Sequence, residues 1–171
     1  ATTKAYTTQL ALLSLLALWM ARRLGTVSGQ EFQAALAAFQ ELPGKMEEVL
    51  SRRDSIQYLA SRHFNHDSIS YIHSEAYAAG ELKHGTISLI EDGTLVVALS
   101  TYGKLFSKAM SNVIEVKARG ADVLSLTVES RGEEMRHTAD GVMSIPDIHE
   151  LLLPCLGVVP LQLFAYYVAL M

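Results

Sequence analysis

The sequence predicts an α/β fold in which a parallel sheet is covered by helices. Three observations carry that expectation. The runs Thr94 to Leu99 and Val123 to Val128 are apolar on both faces, as strands buried on both sides are. Between them Leu105, Phe106, Ala109, Met110, Val113 and Ile114 recur at helical spacing as far as Gly120. Strand, helix of about four turns, strand is the crossover that joins neighbouring parallel strands.

The elements follow in order. Residues 5 to 24 read as a helix, apolar almost all round, which predicts burial on most sides. Thr2 and Thr3 are candidate N-caps for it, and Gly25 stands where a C-terminal glycine belongs. Gln30 to Gln40 is a second helix, with Phe32, Ala35, Leu36 and Phe39 on one face, and Pro43-Gly44 is expected to end it. Met46 to Arg53 and Ser55 to about His63 are two further helical stretches. Beyond the crossover, Glu129 to Asp140 reads as a polar, solvated loop, Gly141 to Ile145 as a third strand, and a long apolar helix closes the chain.

Bulk composition removes several function classes. Half of the 171 residues are hydrophobic and 19% are charged, enough to build a packed core. The net charge is −4 and the basic residues are scattered, so a nucleic-acid surface is not expected. The single cysteine, Cys155, lies in an apolar run and reads as a buried structural thiol in a reducing compartment. The histidines offer no H-x-x-x-H pair on a clear helix face, and no glycine-rich nucleotide loop is present, so neither a metal nor another cofactor is expected. Two stretches are candidates for a membrane. The first, residues 10 to 21, stops at Arg22 and Arg23, short of the ~20 residues a span needs. The second, Leu151 to Met171, carries no charge, but Pro154, Gly157 and Pro160 are expected to break its first half and leave about three turns. No membrane span and no signal peptide is expected, and the cytoplasm is the default location.

The run Ser70-Tyr71-Ile72-His73-Ser74-Glu75-Ala76-Tyr77-Ala78-Ala79-Gly80-Glu81-Leu82-Lys83-His84-Gly85 resembles the isomerase half of glucosamine-6-phosphate synthase. Three other blocks are similar to parts of the same family: Ala1 to Leu10, Ser111 to Gly120 and Val159 to Leu170. The resemblance implies an SIS-type αβα sandwich around a parallel sheet. It implies that residues 1–53 are the helical end of a first SIS domain. Residues 54–171 would then be a second one, lacking its first strand-helix unit and its C-terminal tail. It also implies an amino-sugar chemistry, in which fructose 6-phosphate and glutamine-derived ammonia become glucosamine 6-phosphate.

By the same resemblance, His84 is the catalytic residue, opening the sugar ring, a task that suits an imidazole able to donate and accept near neutral pH. Thr2, Thr3 and Lys4 match positions close to the substrate, while Lys83 and His73 read as structural. The family places a lysine, and three residues later a glutamate, in a helix before Ile69. Here that place holds Phe64-Asn65-His66-Asp67-Ser68, so about twenty residues are missing by ordinary strand and helix lengths. No spacing supports His66 and Asp67 as a substitute acid/base pair. Joining Asp67 directly to Ser68 is expected to expose the flank of the sheet. The chain on its own is therefore expected to be inactive, to meet a sugar phosphate as partner, and to form a homodimer with His84 and part of the terminal helix near the two-fold axis. The alternatives are a non-catalytic sugar-phosphate-binding SIS module and a purely structural dimerisation fragment.

Overall fold

The computed structural model describes residues 2–66, 69–73 and 86–171. Three helices come first: α1 (Thr2–Leu24), α2 (Gly29–Ser51) and α3 (Arg53–His63). α1 ends as its sequence predicts. Gly25 adopts φ 70°, and the Thr26 N–H reaches back to the Ala21 carbonyl at 3.0 Å, closing the last turn with a left-handed residue. Thr2 and Thr3 fall in the first turn of α1.

α2 opens with a reciprocal capping box. The Ser28 hydroxyl accepts from the Glu31 N–H at 3.1 Å, and the Glu31 carboxylate accepts from the Ser28 N–H at 2.8 Å. Pro43 and Gly44 do not end this helix, contrary to the sequence expectation. Proline removes one hydrogen bond, but Ala35, Ala38, Leu42 and Val49 form one buried stripe across it, and that burial holds both halves to the core. The real break comes at Arg52, with φ −92° and ψ 12°, which ends α2 and starts α3.

Among the described residues the sheet has four parallel strands, in the order β1 (Ile69–His73), β2 (Leu95–Ser100), β3 (Asp122–Val128) and β4 (Gly141–Ile145). β1 was not foreseen. Ile69 pairs with Leu95, so this segment covers the flank of β2 that the sequence left bare. The missing strand was expected to expose that edge; a segment assigned to the signature block fills it instead. The joint between Asp67 and Ser68 lies outside the described residues.

Alternate residues of the central strands feed two cores, which makes the molecule a helix–sheet–helix sandwich. Leu95, Leu124, Leu126, Val128, Met143 and Ile145 pack with α2, α3 and the terminal helix α6 (Leu153–Ala169). Val96, Ala98 and Val123 face Phe106, Val113 and Val116 of α4 (Phe106–Lys117). Both faces are buried, as the continuous apolar strands predict. The segment Glu129 to Asp140 is not a plain loop. It forms a short helical turn and α5 (Gly132–Arg136), which buries Met135 completely.

Two apolar helices depart from expectation in opposite directions. α6 runs unbroken through Gly157 and Pro160, with Pro154 in its first turn where a missing N–H does no harm. By length and composition alone Glu150–Ala169 could cross a membrane. In the fold its inner face, Leu153, Cys155, Leu156 and Phe164, is built into the core. α1, expected to be buried on most sides, buries only Leu18 among its described side chains.

Candidate functional site

β2 and β3 both end at the same edge of the sheet, and a cavity of about 290 Å³ opens beside that edge. Leu99, Thr101 and Tyr102 come from the end of β2 and the turn after it, and Leu126 comes from β3. The first turns of α6 supply Leu153, Pro154, Gly157, Val158 and Leu161, and α1 supplies Tyr6. At Gly157 α6 lies against β3 and β4: a Cβ there would meet Leu126 at 3.5 Å, an ordinary van der Waals contact. Ligands of α/β sheets characteristically meet the protein outside the carboxyl ends of the strands, so this is the favoured place. Among the described residues its walls are mainly apolar, with hydroxyls from Tyr6, Thr101 and Tyr102 and no charged side chain. Such a surface can pack against the carbon face of a sugar and hydrogen-bond its hydroxyls.

A second cavity, of about 200 Å³, lies between α3 and β4 and is lined by Arg52 and Arg136. Both guanidiniums are already engaged. Arg52 pairs with Glu48 and Glu129, and Arg136 pairs with Glu133 at 2.8 Å.

The residues singled out from sequence fall unevenly on this geometry. Thr2, Thr3 and Lys4 occupy the first turn of α1, immediately before Tyr6. His84 and Lys83 lie outside the described residues, and His73 is the last residue of β1. Cys155 is buried, and burial pushes its thiol above the ordinary value, as suits a structural rather than a reactive sulfur.

One arrangement escaped the sequence entirely. His63 closes α3, His66 follows it, and Asp122 opens β3 at the amino end of the sheet. His63 Nδ1 lies 2.9 Å from Asp122 Oδ2, and His66 Nε2 lies 3.3 Å from the same oxygen. The two rings stack with centroids 5.6 Å apart. Burial holds His63 below the usual histidine value, outweighing the attraction of Asp122, so the ring is neutral near pH 7. Spacing rules missed the group because its third member belongs to a strand far along the chain.

The SIS domain model matches residues 58–171. Over 99% of its length the chain is 42% identical to the glutamine--fructose-6-phosphate aminotransferase [isomerizing] of Clostridium acetobutylicum and 43% identical to that of Caldanaerobacter subterraneus subsp. tengcongensis. It spans 31% of each of those proteins. The matched stretch runs to 191 positions against a chain of 171, so the alignment contains at least 20 positions that this chain does not fill. The C-terminal domain of glucosamine-fructose-6-phosphate aminotransferase from Francisella tularensis superposes with a TM-score of 0.87. That match covers 99% of this chain and 54% of the other at 23% identity, a likeness of fold. The sugar isomerase domain of an RpiR transcription factor from Sphaerobacter thermophilus shares the fold more loosely, with a TM-score of 0.55 over 80% of this chain. By the match of its sheet-bearing region, the chain belongs to the SIS domain family.

Proposed function

We propose that the chain is part of the sugar-isomerase half of a glutamine–fructose-6-phosphate aminotransferase, where it helps to hold a sugar phosphate in the cytoplasm. The observation that carries this reading is the identity of more than 40% to such aminotransferases along virtually the whole chain. In this reading residues 1–53 close a first SIS domain and residues 54–171 form most of a second. Thr2, Thr3 and Lys4 contact the substrate, and His84 opens the ring. Support for a substrate beside α1 comes from Tyr6, one helical turn after Thr2, which lines the cavity at the carboxyl edge of the sheet.

The same reading holds that the chain alone does not turn over. Isomerisation needs an acid/base pair to move a proton between C1 and C2, and Phe64 to Ser68, where the family resemblance puts that pair, hold no lysine or glutamate to do it. Groups that act as a unit leave little activity when several are lost together. Dimerisation belongs to the proposal as well, supported by the apolar residues exposed along α1.

Calorimetric titration with glucosamine 6-phosphate tests the binding claim. Saturable binding that weakens in Lys4→Ala and Thr3→Ala is expected. No binding, or binding that both substitutions leave unchanged, would remove the substrate role of α1.

A further inference from the structure

We propose that His63, His66 and Asp122 form a binding site for one divalent transition-metal ion, zinc being the best fit, at the amino end of the sheet. The site lies at the opposite end of the strands from the cavity lined by Leu99 and Leu126, and it is independent of the sugar-phosphate reading.

The geometry suits a small tetrahedral ion. The three donor atoms lie within 4.8 Å of one another, with separations of 2.9 and 3.3 Å from the shared carboxylate oxygen. Zinc bonds of about 2.05 Å in a tetrahedral arrangement put neighbouring donors about 3.3 Å apart. Two imidazole nitrogens and one carboxylate oxygen are a donor set that zinc and cobalt accept, leaving a fourth position for water.

Two features show that the donors are prepared for a cation rather than for each other. First, His63 Nδ1 is buried and makes no hydrogen bond, although Asp122 Oδ2 is 2.9 Å away. The approach is out of line for an N–H donor, and folds normally satisfy such an atom. The side chain of His63 is only 5% exposed, so solvent does not take the carboxylate's place. Second, His66 Nδ1 lies 2.6 Å from the carbonyl oxygen of Gly93, which can only accept. The proton therefore belongs on Nδ1. In the neutral ring Nε2 then carries a lone pair, facing the carboxylate oxygen of Asp122 at 3.3 Å. Two lone pairs at that distance repel unless a proton or a metal cation lies between them, and a metal cation is the one that His63 Nδ1 can share. A ring nitrogen fixed by a carbonyl, with its other nitrogen presented bare, is the usual support of a metal-bound histidine.

A second carboxylate, Asp140, lies within hydrogen-bonding reach of Asp122 and adds negative charge beside the site, while its own main partners lie elsewhere. Lys117 Nζ donates to it at 2.5 Å, and the Val123 N–H donates to it at 2.9 Å. An ion here would clamp the end of α3 and the loop after it to the first residue of β3. The site would brace the fold rather than perform chemistry on the sugar.

The test uses the untagged full chain, freed of metal by chelation and titrated with Co²⁺ as a spectroscopic stand-in and with Zn²⁺. One equivalent should bind per chain, with the intense visible absorption of four-coordinate cobalt, and zinc should displace it. Thermal unfolding should shift upward with added zinc, since a ligand held only by the folded state stabilises it. His66→Gln and Asp122→Asn should each weaken uptake at least about tenfold, whereas His137→Gln, on an exposed side chain, should leave it unchanged. Should either ligand variant fail to fold, the stoichiometry and cobalt spectrum of the unaltered chain still decide the matter. Absence of saturable uptake, or uptake untouched by both ligand substitutions, would overturn the site and leave a plain His–Asp pair.

Discussion

α6 and α1 are the two most apolar helices of the chain, and the fold treats them oppositely. α6 buries Leu153, Cys155, Leu156, Gly157, Pro160 and Phe164 against the sheet and α3, whereas α1 leaves Leu12, Leu13, Trp19 and Leu24 more than half exposed. Apolar composition records that a helix needs a partner, and it does not record whether that partner is on the same chain. α6 finds its partner in β3 and β4. α1 touches α6, α2 and the turn before α6 along one side and leaves the other side outward, as a helix does when a neighbouring domain or a second copy completes its packing.

The contrast is broken most directly by truncating one side chain on each helix. Phe164→Ala, at 1% exposure, removes a core aromatic and should lower stability by about 3–5 kcal/mol. Leu13→Ala on α1 should change it by less than about 0.5 kcal/mol in dilute, monomeric samples. Denaturant titrations of both variants check this. Equal losses would mean that α1 is packed in solution as firmly as α6.

A smaller effect separates two glycines with positive φ. Gly120, at φ 88°, turns the chain into β3, and a Cβ there would come within 3.0 Å of the Asp92 Cα. Gly120→Ala combines backbone strain with that clash and should cost about 1–3 kcal/mol. Gly25 ends α1 at φ 70° with open space around it, so Gly25→Ala carries the strain alone, about 1 kcal/mol. Thermal unfolding that ranked Gly25→Ala above Gly120→Ala would contradict the tight turn at Asp92.

The smallest effect sits at the start of α2. Ser28→Ala removes half of the capping box and should lower stability by about 1 kcal/mol. The Ser28 N–H, and after it the Ser28 hydroxyl that Ser28→Ala removes, holds the Glu31 carboxyl below its ordinary value of 4.5. A depressed carboxyl binds protons less readily in the folded state, so its support is fully present above pH 4.5 and fades as pH falls through the lower, folded value. Unfolding measured against pH should therefore slope downward in acid for the native chain and less so for Ser28→Ala. Identical slopes would mean that the box does not form.

Much of the fold was legible because its signals are local. β4 falls where the run Gly141 to Ile145 predicts, β2 and β3 begin within a residue of prediction, and the crossover helix between them is correct. The failures lie where a remote contact overrides a local rule. Pro43 and Pro160 read as breakers, but buried stripes on either side carry α2 and α6 through them. β1 was missed because Ile69 to His73 forms a strand only by pairing with Leu95 to Leu99. Of the candidate site, Thr2, Thr3 and Lys4 could be picked out only by likeness to a family, since nothing in their spacing demands a ligand. The His63, His66 and Asp122 group was invisible for a different reason: the sheet, and not the sequence, brings Asp122 beside α3.

The proposed function holds that this SIS-family chain keeps a grip on sugar phosphate without completing the reaction. Phosphorus NMR of the chain mixed with fructose 6-phosphate and ammonia tests both halves in one sample. The fructose 6-phosphate signal should broaden or shift with protein concentration, and no glucosamine 6-phosphate signal should grow in. Product forming at a rate typical of enzymes, ~1 per second or more, or a substrate signal indifferent to the protein at every concentration, would contradict it.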